Sequence, residues 1–389
     1  MAQAESNRVD VRFSQESTWN ETPATPTMAS LPYTSESLIY EKRTVTSAIV
    51  RSDRHTDDIV EVGAGSSGEL NYEYKFGDFE KLIEGALGNA FATNTATYTG
   101  AGVGGDLDFA AAGGGVQVIT GPSNWTANFD VGAYTRVSGA NSNNNGVFKI
   151  TAKSSTTLTV NNSTGTSQTG VAATLIQKMA RTGTNKYSYL FEKHFADITQ
   201  FISFRGMRVG TWSMNVEAEA IVTGTFGFVG AGAYRAGSTV SGSVNSQGTL
   251  SISSATANIG RLEEGGVTLA AKVRAVRFNL NANPRQLTAV ANKFPIGINL
   301  GSFEITGTVE AYFEDATLYD KFIAHSDSSL VFEIDSAEDD RTIITITNLK
   351  FTNAAPVGAG LNQDVMVSLD FIAKNDATTS AMMQVDLLT

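Results

Sequence analysis

Two short stretches decide the fold that we predict for this chain: residues 67–74, which read SGELNYEY, and residues 306–313, which read TGTVEAYF. In each of them apolar and polar residues alternate, which is the pattern of a β-strand with one buried face. Each precedes a helical pattern, FGDFEKLIEGALG at 76–88 and EDATLYDKFIAH at 314–325. Because FEKLI aligns with YDKFI, the sequence predicts one strand–helix unit that occurs twice.

Both helical patterns place their large apolar residues on a single stripe. The stripe comprises Phe76, Phe79, Leu82, Ile83 and Leu87 in the first helix, and Leu318, Tyr319, Phe322 and Ile323 in the second. Residues at this spacing share one helix face, so we expect both stripes to be buried. Gly88 follows the first stripe, at a position where glycine commonly ends a helix.

The repeat extends on both sides of these stretches. Upstream, SLIYEK at 37–42 and VRFNLN at 276–281 are each followed by a long segment that we predict to be a loop, residues 41–66 and 281–301. Downstream, three strand patterns follow each helix. They lie at 186–195, 200–216 and 221–230 in the first copy, and at 329–335, 341–357 and 364–373 in the second. We therefore predict a mainly β fold with two similar domains, each with one flanking α-helix.

Residues 91–182 interrupt the first copy and differ from it in composition. They carry only five positive and three negative side chains, so the segment is nearly uncharged. Alternating segments such as GVFKITA are divided by turns rich in Asn and Gly, as in β-hairpins. We interpret the segment as a small inserted all-β module. The predicted division is a discontinuous domain 1 (1–90 and 183–230), the module (91–182), a Gly- and Ser-rich linker (231–262) and domain 2 (263–389).

The composition excludes several classes of function. The chain of 389 residues has a net charge of −11, so it lacks the excess of cations on which sequence-independent nucleic-acid binding depends. It contains no cysteine, which excludes disulfides, thiolate catalysis and cysteine-bound zinc. The start, MAQAESNRVDVRF, lacks the apolar core of a signal peptide, and no stretch approaches 18 apolar residues. We expect a protein made in the cytoplasm, with no membrane segment.

No constellation of residues predicts an enzyme. His55, His194 and His325 have no serine or acidic partner at a spacing typical of a catalytic triad. The acidic pairs at 57–58 and 339–340 lie beside arginines in predicted loops, where a solvated turn is favoured over a metal site. Glycines at 100, 102 and 105 match a dinucleotide-binding spacing but follow no buried strand. We expect no catalytic residue, no cofactor and no metal.

A sheet-rich, acidic protein with a duplicated domain suggests assembly. An open sheet leaves edges whose backbone groups must be covered or used in pairing. Edges that meet around a symmetry axis give closed rings, and rings that stack give a tube. With two similar domains per chain, three chains would supply six equivalent domains around a ring. The duplication therefore favours trimeric rings with pseudo-sixfold symmetry, whereas a single-domain interpretation would favour hexamers.

Five stretches of the sequence resemble one known family. They are ESTWNETPATPTMASLPYTSESLIYEK at 16–42, TVTSAIVRSDRHTDD at 44–58, DITQFISFRGMRVGTWSMNVEAEAIVTGTF at 197–226, GSFEITGTVEAYFEDATLYDKFIAHSDSSLVFEI at 301–334 and LNQDVMVSLDFIAKND at 361–376. They are similar to the tail tube (major tail) proteins of long, non-contractile tailed bacteriophages. The resemblance covers most of residues 8–90 and 184–389, and the module at 91–182 departs from it.

The resemblance implies an architecture and a set of partners. It implies β-sandwich or barrel-like domains flanked by a helix, rings that stack along the tail, and a place in the virion. It also implies that an inner sheet lines a channel through which double-stranded DNA passes without specific binding during genome ejection. The chain itself would be the main partner, and tape-measure, tail terminator and distal tail proteins are the other expected partners.

Residues of the two opening strands are our candidates for the channel wall. They are Glu69, Asn71, Glu73, Thr308 and Glu310. A wall of carboxylates would present no fixed cations to DNA phosphates, so the genome should slide without sticking. The period of the strands places these residues on one face, but it leaves open which face is luminal.

The long segment 41–66 supplies the candidates for contacts between rings. Loops of this length are usually functional, and this one carries charges that could pair across a ring boundary: Arg51, Asp53, Arg54, Asp57 and Asp58. A mobile, solvated loop is the competing interpretation.

Two other classes of function remain open from the sequence. One is a tail-tip or host-adhesion protein that binds a surface glycan through the inserted module; copy number per virion would separate it from a tube subunit. The other is a secreted β-type enzyme, which is disfavoured because the sequence shows neither an export signal nor well-placed paired carboxylates.

Overall fold

A computed structural model describes residues 3–99, 106–269, 273–314, 316–336, 339–358, 360–361 and 363–389. The predicted mainly β fold is confirmed, and the described residues include two α-helices. Gly100, Gly102 and Gly105, which carry the dinucleotide-binding spacing, lie outside the described residues.

The part of the chain before residue 92 forms a 3₁₀ turn, five strands and one helix. They are the turn Ser6–Arg8, β1 (Val9–Gln15), β2 (Thr27–Ser30), β3 (Ser35–Glu36), β4 (Ile39–Thr46), β5 (Ile59–Glu73) and α1 (Glu80–Leu87).

The next part forms eight strands among its described residues. They are β6 (Ala92–Thr97), β7 (Leu107–Gly113), β8 (Val116–Thr120), β9 (Tyr134–Ser138), β10 (Gly146–Lys153), β11 (Thr157–Val160), β12 (Gln168–Val171) and β13 (Thr174–Arg181). They pair mainly with one another, as in the β10–β11 hairpin. Most of their apolar side chains form a separate core around Phe109, Ile150 and Leu175.

The rest of the chain contains the remaining strands and the second helix. They are β14 (Tyr189–Phe195), β15 (Gln200–Glu217), β16 (Thr223–Gly230), β17 (Gly232–Ala236), β18 (Ser243–Asn245), β19 (Ile259–Glu264), β20 (Val267–Thr268), β21 (Val273–Asn281), β22 (Arg285–Leu287), β23 (Gly297–Asn299), β24 (Glu304–Tyr312), α2 (Thr317–Ile323), β25 (Ser328–Asp335), β26 (Arg341–Val357), β27 (Met366–Ala373) and β28 (Met383–Leu388).

One continuous antiparallel sheet runs through both halves of the chain. Its strand order is β4–β5–β16–β15–β21–β24–β27–β26. The first four strands come from the N-terminal half and the last four from the C-terminal half. The pair β15–β21, in which Thr211 lies opposite Asn281 and Glu217 opposite Ala275, joins the two sets. We call these eight strands the main sheet.

The long strands β15 and β26 also take part in a second layer. The first part of β15 pairs with β14 on one edge and β17 on the other, and β14 pairs in turn with β1. In the same way, the first part of β26 pairs with β25 and β28, and β25 pairs with β19. Each half of the chain thus folds over its share of the main sheet.

The strand order of the first half recurs in the second. The order β4, β5, β16, β15, β14, β1 corresponds to β21, β24, β27, β26, β25, β19. Two irregularities recur as well. The register shift around Gly210 of β15 has its counterpart around Thr352 of β26, and the shift around Leu190 of β14 has its counterpart around Ser329 of β25.

Alternation along the strands gives the main sheet one apolar face. Side chains from both halves contribute to a single continuous core. Its centre lies at Trp212, which stacks on Phe226, meets Phe278 edge-to-face, and donates its indole N–H to the Tyr72 hydroxyl over 2.8 Å. Burial of aromatic residues from several strands is a major source of stability for such a sheet.

The first helix agrees with its prediction. The five stripe residues are buried, and Phe76 and Phe79 precede the helix itself. Gly88 ends α1 with a left-handed φ of 67°, and its N–H donates to the Glu84 carbonyl. A side chain at Gly88 would approach the Gly183 carbonyl oxygen to 3.0 Å. The stop is therefore required by backbone geometry and by space.

The second helix agrees only in part. Leu318, Tyr319 and Phe322 pack on the core, but Ile323 is 63% exposed, so its assignment to a buried stripe is wrong. The two helices differ because a strand packs on the outer side of α1. β13 packs against α1, where Lys178 pairs with Glu80 over 2.7 Å. Among the described residues no corresponding strand lies over α2.

The predicted long loops prove to be partly ordered strands. Most of residues 41–66 belongs to the hairpin β4–β5, which leaves only residues 47–58 as a loop, so a loop over the whole segment is wrong. The segment 281–301 contains the short hairpin β22–β23. The Gly- and Ser-rich segment 231–262 includes β17, β18 and the start of β19, which pair with β15, β2 and β25.

Candidate functional site: a polar sheet face, two open edges and a projecting hairpin

The face of the main sheet opposite the core is polar. On β5, Leu70 and Tyr72 are buried while Glu69 is exposed and Asn71 and Glu73 are half-buried. The same alternation runs across the neighbouring strands, because paired residues in adjacent strands share a face. We call this surface the polar face.

All five candidate wall residues lie on the polar face. Glu73 and Thr308 belong to one row that crosses seven strands in register: Glu73, Thr223, Asn215, Arg277, Thr308, Asp370 and Asn353. Asn71 begins the adjacent row, where its side-chain oxygen accepts from Thr225 over 2.6 Å. Glu69 and Glu310 lie in the rows on either side of these two. The structure thus brings two distant segments of sequence together on one surface.

Negative charge predominates on the polar face. The paired segments 67–73, 211–217, 223–230, 275–281, 304–312 and 366–373 carry six carboxylates there: Glu69, Glu73, Glu217, Glu304, Glu310 and Asp370. Arg277 is the only lysine or arginine in these segments.

The charge of Arg277 is already neutralised by its neighbours. Its guanidinium donates to Glu310 over 2.7 Å and to Glu217 over 3.2 Å, and to the Asn215 side chain over 2.9 Å. Arg277, Glu217 and Asp370 were not among the predicted wall residues because they lie outside the two opening strands. The signal was present, since each follows or precedes a large apolar residue in an alternating strand.

Both ends of the main sheet are open. β4 pairs with β5 on one edge, and residues 350–357 of β26 pair with β27 on one edge. Among the described residues no strand pairs with the other edge of either segment. Each open edge carries backbone donors and acceptors that can pair with a further strand.

The hairpin β4–β5 projects from the sheet, and the charged candidates lie at its tip. Arg51 is bound within the tip, to Asp53 and Asp57 over 2.7 Å each. Its guanidinium, followed by the backbone N–H of His55, lowers the pKa of Asp53. Asp58 accepts from the N–H of Ile59 over 2.7 Å. For Arg54, which adopts a left-handed φ of 63°, the described residues provide no partner.

The base of the projecting hairpin contacts the corresponding segment of the second half. The carbonyl of Lys293 accepts from the N–H of Ala64 over 2.8 Å, and the Lys293 ammonium pairs with Glu61 over 2.9 Å. Phe294 lies edge-on to Tyr40. The segment 282–303 of the second half thus packs on the hairpin of the first, while residues 47–58 extend beyond it.

The described part of the chain contains no metal-binding cluster and no candidate membrane-spanning helix. The three histidines lie apart from one another, and His194 is stacked on Phe201 at the end of β14. Within the described ranges, no three His, Asp or Glu side chains cluster as a metal site would require. No helix there has the length and apolarity to cross a membrane.

These features describe a β-rich protein whose main sheet has a polar face and two open edges, and comparison with known families gives the class a name. The family described as phage tail tube protein matches residues 6–373, which is nearly the whole chain. The chain therefore belongs to the phage tail tube protein family, whose members are structural components of the virion tail and assemble with one another. No curated protein matches the chain.

Proposed function

We propose that three copies of the chain close head to tail into a ring, that rings stack into the tail tube, and that the polar face lines the channel for double-stranded DNA. The chain then comprises two similar tube domains, 1–90 with 183–230 and 263–389, with a linker at 231–262 and an inserted outer β module at 91–182. The recurring strand order and the two recurring register shifts support this division.

The observation that carries the proposal is the polar face itself. A sheet of eight strands that is apolar on one side and acidic on the other, with an open edge at each end, has the features of one segment of a cylinder wall. Joining such sheets edge to edge removes every open edge and encloses the polar face. Because two similar units in one chain are already joined edge to edge, three chains give six units around the ring.

The charge on the polar face then accounts for passage of DNA. Phosphates that meet fixed cations release counterions and bind, and this is the main source of sequence-independent affinity. In the six paired segments named above, six carboxylates outnumber the single guanidinium, which is bound by Glu217 and Glu310. Lys350 of β26 adds one ammonium to the row that Asn71 begins. A channel with this lining repels the DNA backbone along its length, so the genome passes without being held.

Electron microscopy of the purified protein tests the assembly. Polymerisation into tubes is expected, and averaged end-on views should show three outer protrusions per ring, one for each module at 91–182. Six protrusions would mean that six chains form the ring and would contradict the trimer. A protein that stays monomeric at high concentration would contradict the tube altogether.

The lining is tested by adding cations to it. Ser213→Lys and Thr225→Lys place ammonium groups in the row that Asn71 begins. Virions that carry both changes should assemble tails of normal length but eject DNA more slowly, because phosphates would bind the wall. Ser213→Gln and Thr225→Gln are the matched controls, with similar size and no charge. Unchanged ejection in the lysine variant would place the polar face outside the channel.

We also propose that the hairpin tip, with Arg51, Asp53, Arg54, Asp57 and Asp58, contacts the neighbouring ring. Arg54 is the best candidate for a direct ion pair, since Arg51 is already bound within the tip. Arg54→Glu should shorten or destabilise tubes while rings still form, and Arg54→Gln should have a weaker effect. Tubes of normal length and stability from Arg54→Glu would count against this contact.

Synthesis in the host cytoplasm and contact with tape-measure, tail terminator and distal tail proteins belong to the same proposal. A tube of defined length needs a partner at each end and one that sets its length. Pull-down of the assembled tube from infected cells, followed by mass spectrometry, tests for these partners.

A further inference from the structure

The joint between the two halves of the chain is a pattern that the two open edges can repeat. In this joint the second part of β15 pairs with β21, so that Ser213 lies opposite Asn279 and Trp212 opposite Leu280. The hydrogen bonds beyond its two ends fix which residues face the partner strand. The N–H of Ala218 donates to Arg274 and the N–H of Ala282 donates to Gly210, both over 2.8 Å. Even-numbered residues of β15 therefore direct their backbone groups to β21.

Each open edge corresponds to one side of this joint. β26 takes the place of β15 in the second half, and the register shift at Gly210 fixes Thr352 as its counterpart. β4 takes the place of β21 in the first half, because β4 pairs with β5 as β21 pairs with β24. The glycines Gly68 of β5 and Gly307 of β24 align these two pairs.

We infer that β26 of one copy pairs with β4 of the next in the register of the internal joint, with Ala355 opposite Ile39 and Ala354 opposite Tyr40. This inference rests on the proposed ring and names the strands and the register that close it. The partner is a second copy of this chain.

Backbone directions at the two edges agree with this register. Ser37 donates its N–H to the Glu69 carbonyl of β5, so the odd-numbered residues 37, 39 and 41 direct their backbone groups to β5. Tyr40 is even-numbered and therefore directs its backbone groups away from β5, toward the open edge. On β26, Ala354 corresponds to Trp212 of β15 and faces the open edge in the same way. Ala354 and Tyr40 would therefore exchange two backbone hydrogen bonds, as Trp212 and Leu280 do within the chain.

A proline limits the length of the proposed pairing of β26 in one copy with β4 in the next, which we call the seam. Pro356 corresponds to Met214, the next residue of β15 that directs its backbone to β21. Proline has no N–H, so it cannot donate a hydrogen bond at this place and the pairing ends there. A short edge with a proline also pairs less readily with unrelated strands, which restricts an exposed edge to its specific partner.

Side-chain volumes at the seam are complementary. Ile39 is exposed by 53% in the single chain, and the residue opposite it on β26, Ala355, is small. Asn353 would lie opposite Glu41, which extends the row of Thr308, Asp370 and Asn353 into the next copy. The seam thus continues the polar face from one copy to the next.

Cysteine cross-linking tests the register directly, since the chain has no cysteine of its own. Ala355 and Ile39 form a pair without direct hydrogen bonds, for which a Cα separation of about 4.5 Å suits a disulfide. Within one copy the two residues lie at opposite ends of eight strands, about 30 Å apart. The double variant Ile39→Cys with Ala355→Cys should therefore link only different copies and give a covalent trimer on a non-reducing denaturing gel.

Two shifted pairs serve as controls. Each control keeps Ile39→Cys and moves the second cysteine by two residues on the same face of β26, to Asn353→Cys or to Val357→Cys. Both control pairs should form several-fold less disulfide than the 39–355 pair. Stronger linking by a shifted pair would overturn the register. Rings visible by microscopy that none of the three pairs can link would overturn the seam while leaving the ring intact. If the unmodified chain forms no rings, the proposed function fails, and the seam with it.

Discussion

The two helices follow corresponding strands, yet they are held to the molecule very differently. Six of the eight residues of α1 are buried, whereas none of the seven residues of α2 is. The difference arises because the inserted segment packs on α1. α1 lies under β13, and buried Glu84 accepts from the N–H of Phe91, at the start of the inserted segment, over 3.1 Å. An insertion after the first helix thus changes the environment of an element whose own sequence is similar in both halves.

The halves also differ at the centre of the core. The position of Trp212 in the first half corresponds to Ala354 in the second, and that of Tyr72 corresponds to Ala311. At these two positions the same strand order is therefore filled by large aromatic residues in the first half and by alanine in the second. The comparison indicates that the strand framework tolerates different packing, and it predicts where stability is concentrated.

The largest effect is expected at Trp212. Trp212→Ala removes a fully buried indole together with its bond to Tyr72, and should lower the free energy of unfolding by about 3–5 kcal/mol. Urea unfolding of the isolated chain measures this. Ala354→Gly, at the corresponding position, is the control and should cost about 1 kcal/mol or less. Equal losses at both positions would show that the core is not centred in the first half.

The helices themselves offer a matched pair of isoleucines. Ile83 of α1 is buried and aligns with Ile323 of α2, which is 63% exposed. Ile83→Ala should destabilise by about 3 kcal/mol, because it leaves a cavity. Ile323→Ala should change stability by less than about 0.5 kcal/mol. A loss at Ile323 as large as that at Ile83 in the monomer would mean that α2 is covered after all.

The corresponding strands β17 and β28 differ in one buried acid. Asp386 of β28 is fully buried, where it accepts from the N–H of Tyr134 over 3.1 Å and from Gln384 over 2.7 Å. Burial raises the pKa of Asp386 to about 7. Since the unfolded carboxyl titrates near pH 3.9, the folded chain binds the proton more tightly. Its contribution to stability is complete below about pH 4 and is lost as pH rises to about 7.

A pH series of unfolding measurements tests this. Between pH 4.5 and 8 the chain should lose about 3 kcal/mol that Asp386→Asn does not lose. The relevant quantity is the difference between the two slopes, because other groups titrate in both proteins. Parallel pH profiles for the two proteins would contradict a protonated Asp386. Ala236→Asp, at the corresponding and half-exposed position of β17, should add no comparable slope.

The smallest effect concerns the ion pair that ties α1 to β13. Lys178 and Glu80 are partly exposed, so their pair should contribute no more than about 1 kcal/mol. A double-mutant cycle with Lys178→Met and Glu80→Gln isolates the coupling. A coupling well above this limit would make the ion pair, and not apolar cover, the reason that α1 is held more firmly than α2.

Much of the fold could be predicted because burial alternates along its strands. Leu70 between Glu69 and Asn71 identifies a strand with one buried face, and the same pattern at Val309 reveals the repeat. The hairpin β4–β5 could not be recognised in this way. Residues 59–62 are exposed on both faces, so their sequence shows no alternation and they were predicted to be a loop.

The polar face was predicted only in part, for a related reason. Alternation shows that Glu69 and Glu73 share a face, but it does not show which strands lie beside theirs. Arg277 binds Glu217 and Glu310, which are 60 and 33 residues away along the chain, and only the pairing of β15, β21 and β24 brings them together. The contrast between buried Ile83 and exposed Ile323 depends likewise on β13, which packs on α1 and is distant from it in sequence.

The join between β15 and β21 has a mechanical consequence. Seven consecutive residue pairs connect the two halves there, so a rotation of one half against the other would break backbone hydrogen bonds. A ring closed by the same kind of seam is stiff around its whole circumference. A long tail assembled from such rings would therefore flex where one ring meets the next, and each ring would keep its bore open as the tail curves.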